Sequence, residues 1–204
     1  MKILLTCFVG FVLVCPTSPA FAAEWEKGNV KPHIAMEYTV TLSSAMLAAI
    51  EKFDPDFKPW EARSFTITLR GIYEYKSFRP DKNFLSYQTP SVVIADFNGD
   101  GLPDAAMLGH NKTFVRRLVL LSSPKGYSVM KFDEDYTLSA NKLANNALEE
   151  YLEYVAPKKI RANPSYERPE LDLKNDAFMF GVFEKFSDIY IFKESGFVNY
   201  VVSD

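Results

Sequence analysis

The chain is poor in the residues that staple folds or perform catalysis. Two cysteines and two histidines occur in 204 residues. Both cysteines, Cys7 and Cys15, stand in the first 22 positions. A mature chain beginning after them could form no disulfide and no thiolate metal site. His33 and His110 are far apart, and no HExxH helix or nucleophile elbow is present. Charge of one sign is also lacking. The formal net charge is -3, whereas a nucleic-acid footprint is usually strongly basic. Long apolar runs are missing too, which excludes a multi-span membrane protein. What remains is a 48% hydrophobic, 15% aromatic chain, long enough to bury a core by packing alone.

The single apolar run is Ile3 to Val14, behind Lys2 and ahead of Pro16 and Pro19. As a helix it would reach about 18 Å, short of a bilayer core of about 30 Å. Ala20 and Ala22 put small residues at −3 and −1 of a cleavage site. Residues 1–22 therefore read as a secretory signal, which predicts a periplasmic or secreted protein. Residues 23–204 read as one domain.

Apolar residues at Leu42, Met46, Leu47, Ile50 and Phe53 predict a helix over Leu42 to Phe53, stopped by Pro55. Alternation over Ser64 to Tyr75 predicts a half-buried strand, with Gly71 as a bulge. Short apolar runs at Val92 to Ala95, Ala105 to Leu108, Leu118 to Leu121 and Tyr127 to Phe132 predict four strands in one antiparallel meander. The stripe Leu143, Ala147, Leu148, Tyr151, Leu152 and Val155 predicts a second helix over Ser139 to Val155, capped by Ser139. Three more strands follow at Ala177 to Val182, Ile189 to Phe192 and Phe197 to Val202. Asp104 to Gly109 matches Asp176 to Gly181 at four of six positions, a faint internal repeat.

The most informative stretch is Asp96-Phe97-Asn98-Gly99-Asp100-Gly101-Leu102-Pro103-Asp104. Side-chain oxygens alternate at 96, 98 and 100. Gly101 permits a sharp turn, the Leu102 carbonyl follows, and Asp104 closes the run. Alternate residues of a tight loop converge their oxygens on one point. Hard Ca²⁺ takes six to eight such oxygens at about 2.3–2.6 Å. Three crowded carboxylates repel one another without a cation. The flanks are strand-like, and Met107 stands where an EF-hand needs a bidentate Glu, so the loop is not an EF-hand. Asn98-Gly99 and Asp100-Gly101 are also strong turn dipeptides, so a solvated acidic hairpin is the plain alternative.

From Val93 to Asp104 the chain resembles the FG-GAP/VCBS repeat family, which places an Asp-x-Asn-Gly-Asp-Gly-x-x-Asp loop between two strands. The resemblance covers Ser91 to Phe132 and, more weakly, Asp176 to Val202. It implies Ca²⁺ ligation by Asp96, Asn98, Asp100, the Leu102 carbonyl and Asp104, in a propeller-type blade. The second copy has Arg168, Glu170 and Asp172 where ligands would align, and should bind no ion. With one or two blades, a closed propeller is not expected.

Weaker signals have plainer readings. Ser122-x-x-Lys125 sits among turn residues, not at a helix start. His110 reads as a loop residue near the acidic hairpin. Asp133-Glu134-Asp135 and Glu149-Glu150 read as solvated charge, not an acid pair. Tyr73, Tyr75, Phe78, Phe84 and Tyr87 suit either a core or a sugar- or protein-binding strip. Together these features predict an α+β fold of antiparallel hairpins packed by two helices. The expected function is an exported, non-enzymatic binding or accessory protein with one structural Ca²⁺ and a protein or carbohydrate partner. An exported enzyme acting on polysaccharide or cell wall, with Ca²⁺ as scaffold, is the alternative.

Overall fold

The structure is a computed structural model, and it describes residues 40–78, 89–139, 147–160 and 170–203. The expected signal over 1–22 lies outside the described residues. Those residues form an α+β fold, mostly antiparallel sheet with two α-helices and no closed barrel.

The predicted meander is present. Strands β2 (Val92–Ala95), β3 (Asp104–His110), β4 (Phe114–Leu121) and β5 (Ser128–Lys131) pair in sequence, each antiparallel to the next. Two short strands extend its edges. β1 (Lys58–Pro59) pairs with Gly109 and His110 beyond the end of β2. β6 (Tyr136–Thr137) pairs with Phe114 and Val115 beyond the end of β5.

The second sheet repeats that order. β7 (Glu150–Val155), β10 (Ala177–Val182), β11 (Phe186–Lys193) and β12 (Gly196–Ser203) form an antiparallel sheet in that sequence. A separate antiparallel pair, β8 (Lys159–Ile160) with β9 (Leu171–Asp172), stands between β7 and β10 in the chain. The faint repeat falls on matched positions, since Asp104 opens β3 and Asp176 immediately precedes β10. The β10–β11 turn is one residue shorter. Met107 pairs with Leu118, but Met179 pairs with Ile189, so Val119 corresponds to Tyr190.

Alternation along each strand sends one face to a shared core. Ala106, Leu108, Val119 and Leu121 of the first sheet meet Leu152, Phe178, Phe180 and Tyr190 of the second. Phe178 is the hub. Its ring lies 5.2 Å from Phe97, 4.9 Å from Phe132 and 5.3 Å from both Tyr190 and Phe197. Such aromatic pairs add about 0.5–1.5 kcal/mol each beyond area burial. The opposite face of the first sheet, with Ala105, Met107, Leu118 and Leu120, is covered by Met46 and Ile50 of helix α1.

Helix α1 (Ser44–Phe53) lies within the expected span of Leu42 to Phe53 and starts two residues into it. The Ser43 hydroxyl accepts from the Met46 N–H at 3.2 Å, and Asp54 ends the helix. The expected strand over Ser64 to Tyr75 is instead mostly helix α2 (Ile67–Phe78), entered through a 3₁₀ turn at Ala62–Ser64. Phe65, Leu69 and Tyr73 are buried, four residues apart, a spacing that fits both a strand and a helix. Ile67 decides it: a strand would bury it with them, and it is 68% exposed. The Thr66 hydroxyl caps the helix by accepting the Leu69 N–H at 3.3 Å. Gly71 therefore sits inside a helix and makes no bulge.

The expected helix over Ser139 to Val155 is also corrected. Residues 140–146 lie outside the described residues, and Glu150–Val155 is β7. Leu148, Glu150 and Leu152 are buried in alternation. Leu148 and Leu152 share a face in either geometry. The residue that separates the two is Glu150, whose charge on the inner face reads from sequence as a polar helix face.

Candidate functional site

The loop between β2 and β3 divides its residues between solvent and core. Asp96, Asn98 and Asp100 face outward, while Phe97 between them is fully buried against Phe178 and Phe197 of the second sheet. The plug fixes the loop, so the three polar side chains share its outer side. Gly99 and Gly101 carry φ of 78° and 80°, left-handed values that glycine adopts at little cost.

The side chains organise the loop's own backbone. Asp96 accepts the Gly99, Asp100 and Gly101 N–H groups at 2.7, 3.1 and 2.8 Å. Asn98 Oδ1 accepts from Asp100 N–H at 2.9 Å, and Asp100 Oδ1 from Leu102 N–H at 2.9 Å. Asp96 Oδ1 takes two of these bonds and is full, whereas Asp96 Oδ2, Asn98 Oδ1 and Asp100 Oδ1 take one each and retain a lone pair. Asp104 is placed differently. It is fully buried at the base of the loop. One oxygen accepts the Ser122 N–H at 2.7 Å and the Ser122 hydroxyl at 2.6 Å; the other accepts Phe97 and Asn98 N–H at 2.9 and 3.3 Å. Burial pushes the Asp104 carboxyl above its ordinary value, opposed by those four hydrogen bonds. Ser122, read from sequence as a turn residue, holds this carboxylate in place.

As a test of fit to a hard cation, the loop offers Asp96 and Asp100 carboxylates, the Asn98 amide oxygen and the Leu102 carbonyl. Asp104 fits this set poorly, because it is fully buried and each of its oxygens already accepts two donors. Among the described residues no three acidic or histidine side chains come together as a metal-holding group. A cation here would lean on amide, carbonyl and water oxygens as well as carboxylates, within the range Ca²⁺ accepts.

Two residues that the sequence left out of the loop's description reach it from the second sheet. Asp176 Oδ2 accepts the Asp96 N–H at 3.1 Å, and its Oδ1 accepts the Tyr154 hydroxyl at 2.7 Å. The Asn175 side chain lies over Gly99, where a Cβ would come within 2.6 Å of it. The repeat was the available signal, since it aligns Asp176 with Asp104.

A second cluster overturns the expectation of solvated charge for Asp133, Asp135 and Glu150, while Glu134 and Glu149 stay solvated as expected. Arg117 pairs with Asp133 and, at 3.5 Å, with Glu150, and Tyr136 bonds to Glu150. Its guanidinium lies 4.5 Å from the Phe180 ring and 5.2 Å from that of Tyr136. Arg116 pairs with Asp54 and, at 2.6 Å, with Asp135. Burial first, then Glu150, raises the Tyr136 phenol well above its ordinary value. Each acid has a cation beside it, the arrangement that lets charge sit in a core. His110 stands at the far end of β3 from Asp104, its ring 4.2 Å from that of Trp60, and so lies away from the acidic loop. Tyr73, from the aromatic strip, is core.

No family model, curated protein or solved structure matches the chain. Among the described residues no helix is long and apolar enough to cross a membrane.

Proposed function

We propose that the chain is an exported, non-enzymatic binding or accessory protein whose 96–104 loop holds one structural Ca²⁺. The observation that carries this reading is the loop itself. Asp96, Asn98 and Asp100 share its outer side, Gly99 and Gly101 give it its turns, and Phe97 pins it to the core. The residues that would hold the ion are Asp96, Asn98, Asp100 and the Leu102 carbonyl. Asp104 anchors the loop from below, a departure from the ligand set the family resemblance implies. A bound ion would offset the repulsion between Asp96 and Asp100 and stiffen the hairpin. The likeness of strand order between the two sheets supports a pair of FG-GAP/VCBS-like blades. Export rests on the signal pattern of residues 1–22. The paired state of Asp133, Asp135 and Glu150 speaks against their use as an acid pair in polysaccharide cleavage.

The test is a Ca²⁺ titration after chelator treatment, read as heat and as melting temperature, with Asp100→Ala alongside. Ca²⁺ raises the melting temperature of the wild type by several degrees, and Asp100→Ala loses most of that rise. No heat and no shift at millimolar Ca²⁺ would reduce the loop to a turn.

A further inference from the structure

Sheet edges are where chains add strands, because an edge presents N–H and C=O groups with no ladder partner. The four edges here differ in how well they are blunted. On the first sheet, β2 and β5 are only four residues long. β5 ends on Lys131, and β1, which continues the β2 edge, ends on Pro59, which has no N–H. On the second sheet, β7 carries Glu150 and Glu153. β12 has none of these devices. It runs eight residues, Gly-Phe-Val-Asn-Tyr-Val-Val-Ser, without charge or proline. Among the described residues it pairs with β11 alone, with one irregularity near its end, opposite Ser187 and Asp188.

We infer that β12 is a self-association edge, pairing antiparallel with β12 of a second copy across a two-fold axis. The strand's own pattern selects a second copy. Centred on Tyr200, an antiparallel pair sets Val198 opposite Val202 of the other chain and Asn199 opposite Val201. No like charges meet, which is what prevents a charged edge from pairing with itself. Phe197 on the inner face is already committed to the aromatic core through Phe97 and Phe178. On the outer face, Val198 is 42% exposed and neighbours Ile191, and Val202 joins the cluster of Ile189 and Ile191. Pairing would set Val198 and Val202 across the seam on either side of Tyr200, whose hydroxyl accepts from Lys193 Nζ at 2.6 Å, and join two four-stranded sheets into one. A single strand seam lies at the small end of specific interfaces, below about 1,200 Å², so the dimer forms at micromolar rather than nanomolar concentration.

Sedimentation velocity of the full chain over a micromolar dilution series tests this. The wild type shifts from monomer to dimer as concentration rises. Val198→Lys weakens the dimer at least tenfold, while Leu47→Lys, at an exposed apolar site on α1, leaves it unchanged. Circular dichroism checks that both variants fold. Should Val198→Lys unfold, hydrogen exchange on the wild type decides: residues 197–202 gain protection with concentration and β5 does not. A wild type that stays monomeric throughout overturns the inference. So does a dimer that a folded Val198→Lys leaves intact, or equal protection of β12 and β5.

Discussion

The first sheet and the second share a strand order and differ at one corner. Both begin with a strand, a connection and a second strand headed by aspartate. In the first, that aspartate, Asp104, is fully buried and holds four donors of its own loop and of Ser122. In the second, Asp176 is only half-buried and spends one oxygen on the other sheet, accepting the Asp96 N–H. The same residue at the same place folds its own loop in one sheet and braces a neighbour's in the other.

The comparison breaks most completely if the shared core fails. Phe178→Ala removes the ring on which Phe97, Phe132, Tyr190 and Phe197 converge, and should cost about 3–5 kcal/mol in urea unfolding. Loop and sheets should melt together, because Phe97 belongs to both. Two separate transitions would show that the sheets are independent.

Asp104→Ala against Asp176→Ala sharpens the difference between the two corners. The first leaves the Ser122, Phe97 and Asn98 donors without their acceptor and should cost about 3 kcal/mol. The second loses two bonds at a wetter site and should cost about 1 kcal/mol. Equal losses would mean that the two aspartates have the same role.

The smallest effect concerns pH. Tyr190, in the second sheet, has its phenol raised well above the ordinary value, first by burial and then by Asp133. Its folded pKa exceeds its unfolded one, so near pH 10 the unfolded chain gives up the proton first. The stability this group contributes is complete at neutral pH and falls as pH rises above about 10, by up to about 1.4 kcal/mol per pH unit. Tyr190→Phe should flatten the fall in melting temperature above pH 10, with little change at pH 7. An unchanged alkaline slope would assign that loss elsewhere.

The first-sheet meander, helix α1 and the strands after Ala177 were legible in the sequence, because the strands are short apolar runs set off by turn residues and the helix stripe recurs at three and four residues. Two segments were not. Phe65, Leu69 and Tyr73 recur every four residues, a spacing that strand and helix share, and the exposed Ile67 belied its type. At β7 the inner face includes a glutamate. Nothing near Glu150 in the chain announces Arg117 or Tyr136, the partners that let it turn inward. The loop's outward oxygens could be listed from sequence. The burial of Phe97 and the reach of Asn175 and Asp176 could not, since both depend on how one sheet lies against the other.

Tyr127 gives the acidic loop a built-in optical readout. Its hydroxyl donates to the Pro103 carbonyl at 3.0 Å, and its phenol is raised first by burial and then by the negative charges of Asp104 and Asp100. Charge placed on or removed from the loop must therefore move the pH at which this one ring becomes a tyrosinate. A cation settling among the loop oxygens would draw that ionisation to lower pH, and further acidic charge would drive it higher. The ring absorbs differently in its two states, so the difference between the alkaline absorbance titrations of the wild type and Tyr127→Phe follows the loop's electrical condition.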